Sequence, residues 1–373
     1  MPFRERLFLS IRDKRSATFD KTLKPQRRLL IFIAHRSSVI ANRLFWGFKM
    51  THMIDQHNRK IDYLRLSITD KCNLRCIYCM PSGGLKLKPH EEILTYEEIE
   101  LFANCAIEQG ISKIRLTGGE PLIRRDVLDL IKGLTSIPGL TDISLTTNGI
   151  LLADYADALV EAGLKRVNIS VDSLDPDVFR RITRNGNLSR VISGLEKTLE
   201  VGLEPVKINV VVLRGVNEDI ADFVKLTFDY PVHVRFIEYM PFSKEIGMEK
   251  SVSSAELQER ISKLGELEQA ASPYGAGPAR YFKMKGSQGT IGFISPMSEH
   301  FCPKCNRLRL TADGRLRTCL FSDEEVDVRK AMRAENPKEK VKELIYQTLL
   351  TKPKNHSESR RRDFQRRMSQ IGG

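Results

Sequence analysis

The segment 70–80, DKCNLRCIYCM, places three cysteines within eight residues of one another. Cys72, Cys76 and Cys79 have the spacing C-x3-C-x2-C, and no fourth Cys or His lies close by in the sequence. Three thiolates can hold a four-iron cluster while one iron keeps an open position for a small molecule, as a catalytic zinc ion does. A structural zinc site with a distant fourth ligand is the alternative that this spacing leaves open.

A second group of three cysteines lies towards the end of the chain. Cys302, Cys305 and Cys319 have the spacing C-x2-C-x13-C, and His300 stands two residues before the first of them. This group suits either an iron–sulfur cluster or a zinc site of three cysteines and one histidine. The seventh cysteine, Cys105, falls on a predicted amphipathic helix, where we expect a small buried apolar side chain. An odd number of cysteines without a secretory signal argues against a disulfide scaffold.

Strand-like and helix-like segments alternate between residues 63 and 239, and they must position the first cysteine group. Thr95 and Glu98 form a capping-box pattern at the start of the first helix. The predicted strands cover 63–69, 113–117, 142–147, 166–171, 206–213 and 233–239. The predicted helices cover 96–109, 125–134, 153–162, 188–201 and 218–229. Six β/α units in succession predict an α/β fold, arranged as a partial (β/α)6 TIM-like barrel, with a doubly wound open sheet as the alternative.

Polar residues follow or end every predicted strand. They are the segments 72–79, 117–120, 146–149 and 238–240 together with Ser170, Asp172 and Asn209. The carboxyl ends of parallel strands meet at one rim of an α/β barrel, and active sites lie at that rim. A single polar turn is common, but polar residues after all six strands predict a functional site there.

The alternation of strands and helices changes after about residue 250. Segments 281–284 and 290–294 are predicted as short strands, and 307–311 and 315–317 as a hairpin around an Asp-Gly turn. A further helix is predicted near 336–350. We expect four regions: a basic N-terminal extension (1–52), the barrel (53–250), a region carrying the second cysteine group (251–350) and a basic tail ending in Gly-Gly (351–373).

The formal net charge of +13 is concentrated at the two ends of the chain. Residues 1–52 hold 12 Lys/Arg against 3 Asp/Glu, and residues 351–373 hold 7 against 2, whereas residues 53–350 hold 41 against 42. A nearly neutral body does not favour nucleic-acid binding. The sequence contains no run of about 18 apolar residues, so it does not predict a membrane span. The basic extension suits either a mitochondrial transit peptide or a segment upstream of the true start, at Met50 or Met53. We therefore expect a cytoplasmic protein, with the mitochondrial matrix as the alternative.

The first cysteine group and a glycine-rich turn together resemble the radical S-adenosylmethionine (SAM) superfamily. C-x3-C-x2-C after the first strand, with an aromatic residue before the last cysteine, is similar to its cluster motif, and Gly118-Gly119-Glu120-Pro121 after the second strand is similar to its GGEP motif. The resemblance implies a 4Fe–4S cluster on the first cysteine group, whose open iron chelates the methionine part of SAM. The residues that it implies for SAM binding are Tyr78, Gly119, Glu120, Ser170 and Met240.

Further segments resemble one branch of that superfamily, the GTP 3′,8-cyclases, also known as molybdenum cofactor biosynthesis protein A. The similar segments, within 54–373, are 62–65, 114–121, 145–149, 235–240, 301–309 and the terminal Gly372-Gly373. The resemblance implies a second 4Fe–4S cluster on Cys302, Cys305 and Cys319, which binds the guanine base of GTP. The implied GTP-binding residues are Arg65, Arg115, Thr146, Lys207, Arg235, Arg307, Leu308 and Arg309. The implied catalytic residues are Arg65, Gly372 and Gly373.

The same resemblance implies a radical cyclisation. A 5′-deoxyadenosyl radical derived from SAM abstracts H3′ of GTP, and the resulting C3′ radical attacks C8 of guanine. Reduction by one electron and addition of a proton then give (8S)-3′,8-cyclo-7,8-dihydroguanosine 5′-triphosphate, in the first step of molybdenum cofactor biosynthesis. The implied fold is a partial barrel followed by a C-terminal auxiliary iron–sulfur region. The implied partners are GTP, an electron donor, a downstream cyclic pyranopterin monophosphate synthase and a second copy in a homodimer, with neither nucleic acid nor membrane.

Two other functions remain as alternatives to the cyclase. One is another two-cluster radical SAM enzyme, such as a peptide-modifying one. The other is a zinc-stabilised binding protein. A conventional GTPase is not favoured, because the chain has no G-x4-G-K-[ST] phosphate loop.

Overall fold

Strands and helices alternate through the first part of the chain, in the order that the sequence predicts. The computed structural model describes residues 53–242, 246–275, 277–359 and 366–372, so the predicted extension 1–52 and Gly373 lie outside the described residues. The strands of the repeating units are β1 (Tyr63–Ser67), β2 (Lys113–Thr117), β3 (Asp142–Thr147), β4 (Arg166–Ser170), β5 (Lys207–Val212) and β6 (His233–Glu238). The helices that follow them are α1 (Tyr96–Glu108), α2 (Val127–Thr135), α3 (Leu152–Glu161), α4 (Pro176–Thr183), α5 (Leu188–Glu200) and α6 (Ala221–Asp229).

The six strands β1–β6 pair in parallel and in chain order, which confirms the predicted α/β fold. Tyr63 of β1 pairs with Lys113 of β2, and Lys207 of β5 pairs with His233 of β6. Within the described residues the sheet remains open at both ends, so the barrel is partial.

Strands from the C-terminal region extend this sheet at both edges, which the sequence does not predict. The C-terminal strands are β7 (Leu267–Ala270), β8 (Arg280–Met284), β9 (Thr290–Ile294), β10 (Arg307–Leu310), β11 (Arg315–Arg317) and β12 (Val326–Asp327). β9 pairs in parallel with β6, and β10 pairs in parallel with β1. The predicted hairpin is confirmed as β10 and β11, which are antiparallel. The region 251–350 therefore shares one sheet with 53–250.

Several helices begin at clear capping residues. Thr95 and Glu98 form the predicted capping box at α1, with Thr95 N donating to Glu98 Oε2 at 2.9 Å. Helix α4 was not predicted from the sequence, although Asp175 before Pro176 is an N-cap followed by proline at the first helical position. The helices of the C-terminal region are α7 (Ser254–Ser262), α8 (Arg329–Met332), α9 (Pro337–Leu349) and α10 (His356–Ser359).

The hydrophobic core lies between the sheet and the helices, and it leaves the other face of the sheet for polar side chains. In β1, Leu64 and Leu66 are buried in this core, whereas Arg65 between them faces the opposite side. Cys105 of α1 is 1% exposed within the core, which confirms that it is a small buried apolar side chain. In the part of the chain that the structure describes, no helix has the length and apolar character that a membrane crossing requires.

A buried ion pair joins the starts of β3 and β4. Arg166 Nε donates to Asp142 Oδ1 at 3.1 Å, and both side chains are 1% exposed. We expect Arg166→Met to lower the free energy of unfolding by about 3–5 kcal/mol, because Asp142 would remain buried without its partner. Urea denaturation of the purified protein measures this loss.

The matched control for this prediction is an exposed ion pair. Arg190→Met removes a pair with Asp154 whose side chains are 46% and 53% exposed, and it should cost less than about 1 kcal/mol. Equal losses in the two variants would contradict a structural role for the buried pair.

Candidate active site

The carboxyl ends of the parallel strands surround a cavity of about 320 Å³, and both cysteine groups line it. The first group comes from the loop after β1. The second comes from the segments on either side of the β10–β11 hairpin. All six cysteines are partly buried and none forms a disulfide. The structure thus brings the two groups, which are far apart in sequence, to one space.

The loop of the first cysteine group is held against the loop that follows β2. Gly119 N donates to Thr69 O at 2.8 Å, and Glu120 N donates to Lys71 O at 2.8 Å. A Cβ atom at Gly119 would lie 2.0 Å from Lys71 O and 2.5 Å from Lys71 C. Because only glycine permits this approach, Gly119 positions the cysteine loop next to Cys72.

Gly119→Ala should remove the cluster of the first group. The added methyl group would force Lys71, and with it Cys72, out of position, at a cost of about 1–3 kcal/mol of stability. After anaerobic reconstitution we expect the iron content to fall from about eight to about four per chain. Gly83→Ala is the control, since nothing lies within 4 Å of a Cβ atom there. Wild-type iron content in the Gly119 variant would contradict this role.

Glu120 is buried just beneath the cavity and holds the loop after β3. Its carboxylate accepts hydrogen bonds from Thr147 Oγ1 at 2.8 Å and from Asn148 N at 2.7 Å. Asn148 Nδ2 then donates to Asn73 Oδ1 at 2.7 Å and lies 3.9 Å from Cys72 Sγ. Burial raises the pKa of Glu120 to about 7, although these hydrogen bonds oppose the shift. The carboxylate therefore links the GGEP segment to the cysteine loop.

The other residues predicted to bind SAM line the cavity: Tyr78, Gly119, Ser170 and Met240. Tyr78 OH donates to Asp172 Oδ2 at 2.6 Å, and Asp172 Oδ1 accepts from Val211 N at 2.8 Å. Burial raises the pKa of Asp172 to about 6. The sequence predicts Asp172 at the rim without a role, and the structure shows that its hydrogen bond fixes the aromatic ring of Tyr78.

Cys305 differs from the cysteines of the first group in its electrostatic surroundings. Burial raises the pKa of Cys72 to about 12 and that of Cys79 to about 11. At Cys305 burial acts in the same direction, but the cations of Lys352 and Arg307 outweigh it and lower the pKa to about 6. Metal binding must therefore displace protons from the first group, whereas Cys305 already favours the thiolate.

Two residues of the C-terminal tail contact the second cysteine group, and neither contact was predicted from the sequence. Lys352 Nζ lies 3.6 Å from Cys305 Sγ, and His356 Nδ1 lies 3.7 Å from Cys302 Sγ. His300, the zinc ligand considered above, instead directs Nδ1 to a backbone carbonyl at 3.0 Å. The two contacting residues belong to the sequence KPKNH, which by composition is only part of a basic tail.

Five arginines line the cavity between the two cysteine groups: Arg65, Arg115, Arg235, Arg307 and Arg309. Among the described residues, the last four form no ion pair with a carboxylate. Arg115 Nη2 and Arg235 Nε are buried and have no hydrogen-bond partner there. Burial, with added repulsion from neighbouring arginines, lowers the pKa of Arg115 to about 10 and that of Arg309 to about 9. A bound polyanion would relieve this repulsion.

Of the remaining residues predicted to bind GTP, Thr146 lines the cavity, whereas Lys207 and Leu308 are not among its lining residues. Lys207 stands at the amino end of β5, where Nζ donates to Tyr274 O at 2.6 Å, and burial lowers its pKa to about 6. Leu308 is 1% exposed and packs in the hydrophobic core, because alternate residues of a strand face opposite sides. Its side chain cannot face the cavity, so only its backbone is available to a ligand.

The end of the tail is anchored close to the cavity. Arg366 donates two hydrogen bonds to Asp313, at 2.9 and 2.8 Å, and a third to Glu325 at 3.1 Å. Ile371 is 1% exposed and packs in a small apolar cluster with Phe321. A bidentate ion pair and a buried apolar side chain therefore fix the last described turn of the chain.

Gly372 extends from this anchor into the interior of the barrel. Arg65 Nη2 donates to Gly372 O at 2.9 Å. Gly372 has φ +75°, and a Cβ atom there would lie 2.5 Å from Thr117 Oγ1. The position therefore requires glycine both for its conformation and for its space. Gly373, predicted to be catalytic, lies outside the described residues.

The arrangement of the thiols fits two clusters. Among the described residues, no three His, Cys, Asp or Glu side chains converge as the ligands of a single metal ion would. A four-iron cluster binds its thiolates through different irons, so its ligands need not converge on one point. Each set of three thiols that lines the cavity is a suitable donor set for a cluster with one open iron.

Comparison with protein families matches most of the described chain. Residues 66–227 match the radical SAM superfamily, and residues 232–358 match the family Molybdenum Cofactor Synthesis C. Curated relatives named GTP 3′,8-cyclase include those of Petrotoga mobilis, 51% identical over 329 residues, and Moorella thermoacetica, 50% identical over 323 residues. Each alignment covers 86% of this chain and 100% of the relative.

Comparison with solved structures supports the fold. Streptococcus suis SuiB aligns with a TM-score of 0.56 at 14% identity, over 90% of this chain and 76% of that chain. Native anSMEcpe with bound AdoMet aligns with a TM-score of 0.52 at 17% identity, over 79% and 82% of the two chains. At this level of identity the similarity concerns the architecture alone.

Proposed function

The chain belongs to the GTP 3′,8-cyclase family of radical SAM enzymes, and on that premise we propose how its cavity performs the family's reaction. The family is a group of lyases that cyclise GTP in the first step of molybdenum cofactor biosynthesis. Their cofactors are SAM and two 4Fe–4S clusters. In our proposal Cys72, Cys76 and Cys79 hold the cluster that binds SAM, and the second group holds the cluster that binds the base of GTP.

One observation carries this assignment: Arg115, Arg235, Arg307 and Arg309 line the same cavity as both cysteine groups and have no carboxylate partner among the described residues. A triphosphate is a polyanion, and guanidinium groups bind phosphate oxygens through charge-assisted hydrogen bonds. Arg115 and Arg235 each have a buried N–H group aimed at no acceptor among the described residues. These two side chains, with Arg307 and Arg309, are the proposed triphosphate ligands.

The chain's own residues hold the reactants and exclude water. When bound, SAM and the first cluster supply the 5′-deoxyadenosyl radical that removes H3′ of GTP. Gly119 and Glu120 keep the cysteine loop in place, and the Tyr78–Asp172 hydrogen bond fixes the ring beside it. Gly372 and Arg65 lie together at the interior end of the tail, where the carbonyl oxygen of Gly372 accepts from Arg65. We assign this pair to positioning the substrate for ring closure.

The partners of the reaction follow from its chemistry. Reductive cleavage of SAM needs an external electron donor, and the cyclised nucleotide needs an enzyme that rearranges it, the cyclic pyranopterin monophosphate synthase. We also propose a homodimer, a cytoplasmic location and the regional division at residues 250 and 350. The named relatives support the location, because they come from bacterial strains.

Anaerobic incubation with GTP, SAM and a strong reductant tests the proposal. We expect 5′-deoxyadenosine and a cyclised nucleotide of unchanged mass in equal amounts, with about eight irons per chain. Deoxyadenosine without consumption of GTP would show that the substrate is wrong and would favour a peptide-modifying enzyme. A colourless protein containing zinc would contradict both iron–sulfur assignments.

A further inference from the structure

Lys352 is a buried cation whose partners all belong to the second cysteine group or its neighbours. The residue is 2% exposed. Its Nζ atom lies 2.8 Å from Arg307 O, 2.6 Å from Thr318 O and 3.6 Å from Cys305 Sγ. Thr318 immediately precedes Cys319, so the ammonium group lies beside two of the three cysteines.

The three partners indicate the charge of the side chain. As a cluster ligand Cys305 carries no proton, so all three partners are acceptors. Only an ammonium group has three N–H donors, since a neutral amine has two. No carboxylate forms an ion pair with Lys352 in the part of the chain that the structure describes. A buried cation is costly unless an anion compensates it. The cysteine thiolates are the anions that lie nearest to it.

The segment around Lys352 is built to hold this arrangement. Arg59 donates to Pro353 O at 2.6 Å, to Lys354 O at 3.1 Å and to Cys302 O at 2.9 Å. The same guanidinium group therefore ties the segment to the cysteine loop. His356, four residues after Lys352, lies 3.7 Å from Cys302 Sγ. The segment 352–356 thus contacts the second group from Cys302 to the residue before Cys319.

We propose that Lys352 is the fixed counter-cation of the second 4Fe–4S cluster and raises its reduction potential. A cluster with three thiolates becomes more negative when it is reduced, so a nearby cation stabilises the reduced form more than the oxidised form. Hydrogen bonds and charge around the sulfurs are established determinants of cluster potential. The inference rests on the second cluster alone and does not depend on the identity of the substrate.

The test separates the two clusters and measures potential rather than turnover. Lys352→Met is introduced into the full-length chain in which Cys72, Cys76 and Cys79 are serine, so that only the second cluster assembles. An anaerobic dithionite titration, monitored by electron paramagnetic resonance, gives its midpoint potential. We expect Lys352→Met to lower the midpoint potential by about 59 mV. For one electron, this shift corresponds to a tenfold change in the ratio of oxidised to reduced cluster. In the opposite background, with serine at Cys302, Cys305 and Cys319, Lys352→Met should leave the midpoint potential of the first cluster unchanged.

Two further variants make every outcome decisive. Lys354→Met, an exposed lysine in the same segment, should leave the potential unchanged. Lys352→Arg should keep the potential close to that of the wild type, because it keeps the charge. If Lys352→Met does not retain iron, retention in Lys352→Arg supports the proposal and loss in both variants overturns it. An unchanged potential in an iron-loaded Lys352→Met also overturns it, whatever happens to GTP.

Discussion

Replacing Gly372 by alanine should slow the cyclisation of GTP about a hundredfold while both clusters remain in place. The added Cβ atom would lie 2.5 Å from Thr117 Oγ1 and 3.2 Å from Ser67 Cβ, and the backbone at φ +75° is strained for any L-residue with a side chain. The end of the tail would have to withdraw, and Arg65 would lose the carbonyl that it now contacts. A displacement of about 1 Å in a catalytic constellation can cost about a hundredfold in rate.

Chromatography of the anaerobic reaction, with an iron assay on the same sample, measures this effect. Iron content should be that of the wild type, since none of the three atoms nearest to the added Cβ atom belongs to a cysteine. Gly202→Ala is the control that separates the steric clash from backbone strain. Gly202 also has a positive φ, but nothing lies within 4 Å of its Cβ position, so this variant should cyclise GTP normally. A chain extended by one residue after Gly373 should fail in the same way. Normal cyclisation in either tail variant would refute a role for the tail in the reaction.

Arg235→Gln should weaken the binding of GTP about 30-fold or more. Arg235 Nη2 donates to Asn168 Oδ1 at 2.7 Å and Asn209 Oδ1 at 2.5 Å, which fixes the guanidinium group, while Nε has no acceptor among the described residues. Removing one member of a buried charged pair costs about 2 kcal/mol or more, and ~1.4 kcal/mol is a factor of ten in affinity. The loss should therefore appear as an increased dissociation constant.

Equilibrium binding to the anaerobic enzyme, without reductant, separates this effect from chemistry. If Arg235 binds the triphosphate, the variant should lose affinity for GTP but bind guanosine as the wild type does. Arg180→Gln, an exposed arginine of α4, should bind both ligands normally. An equal loss for guanosine and GTP would show that Arg235 acts on the base or on the fold instead of the phosphates.

The sequence predicts those features that local patterns determine. Alternation of apolar residues located all six strands of the barrel to within two residues at each end, and the Asp-Gly pair located the β10–β11 hairpin. The spacing of the cysteines, with Gly119 and Glu120, predicted which loops would meet at the rim. These signals are local because a strand, a turn or a ligand loop depends on residues close together in the chain.

The features that the sequence did not predict depend on contacts between distant segments. Lys352 and His356 contact Cys305 and Cys302 only because the folded tail packs on them. The residues next to them in the sequence form no motif that predicts these contacts. Leu308 was grouped with Arg307 and Arg309 by resemblance, although strand periodicity alone places it on the other side. Lys207 was assigned to GTP by resemblance, and no local pattern shows that its ammonium group donates to Tyr274 O.

The pairing of β10 with β1 has a consequence for how the protein is made. Tyr63 pairs with Arg307, so the first strand of the barrel acquires its outer neighbour only when most of the chain has been synthesised. At roughly 5–20 residues per second, the nascent chain spends on the order of ten seconds or more with that edge open. An open strand edge is a template for association with other chains. Chaperones that shield exposed edges should therefore govern the yield of soluble protein, and chains terminated before residue 307 should aggregate.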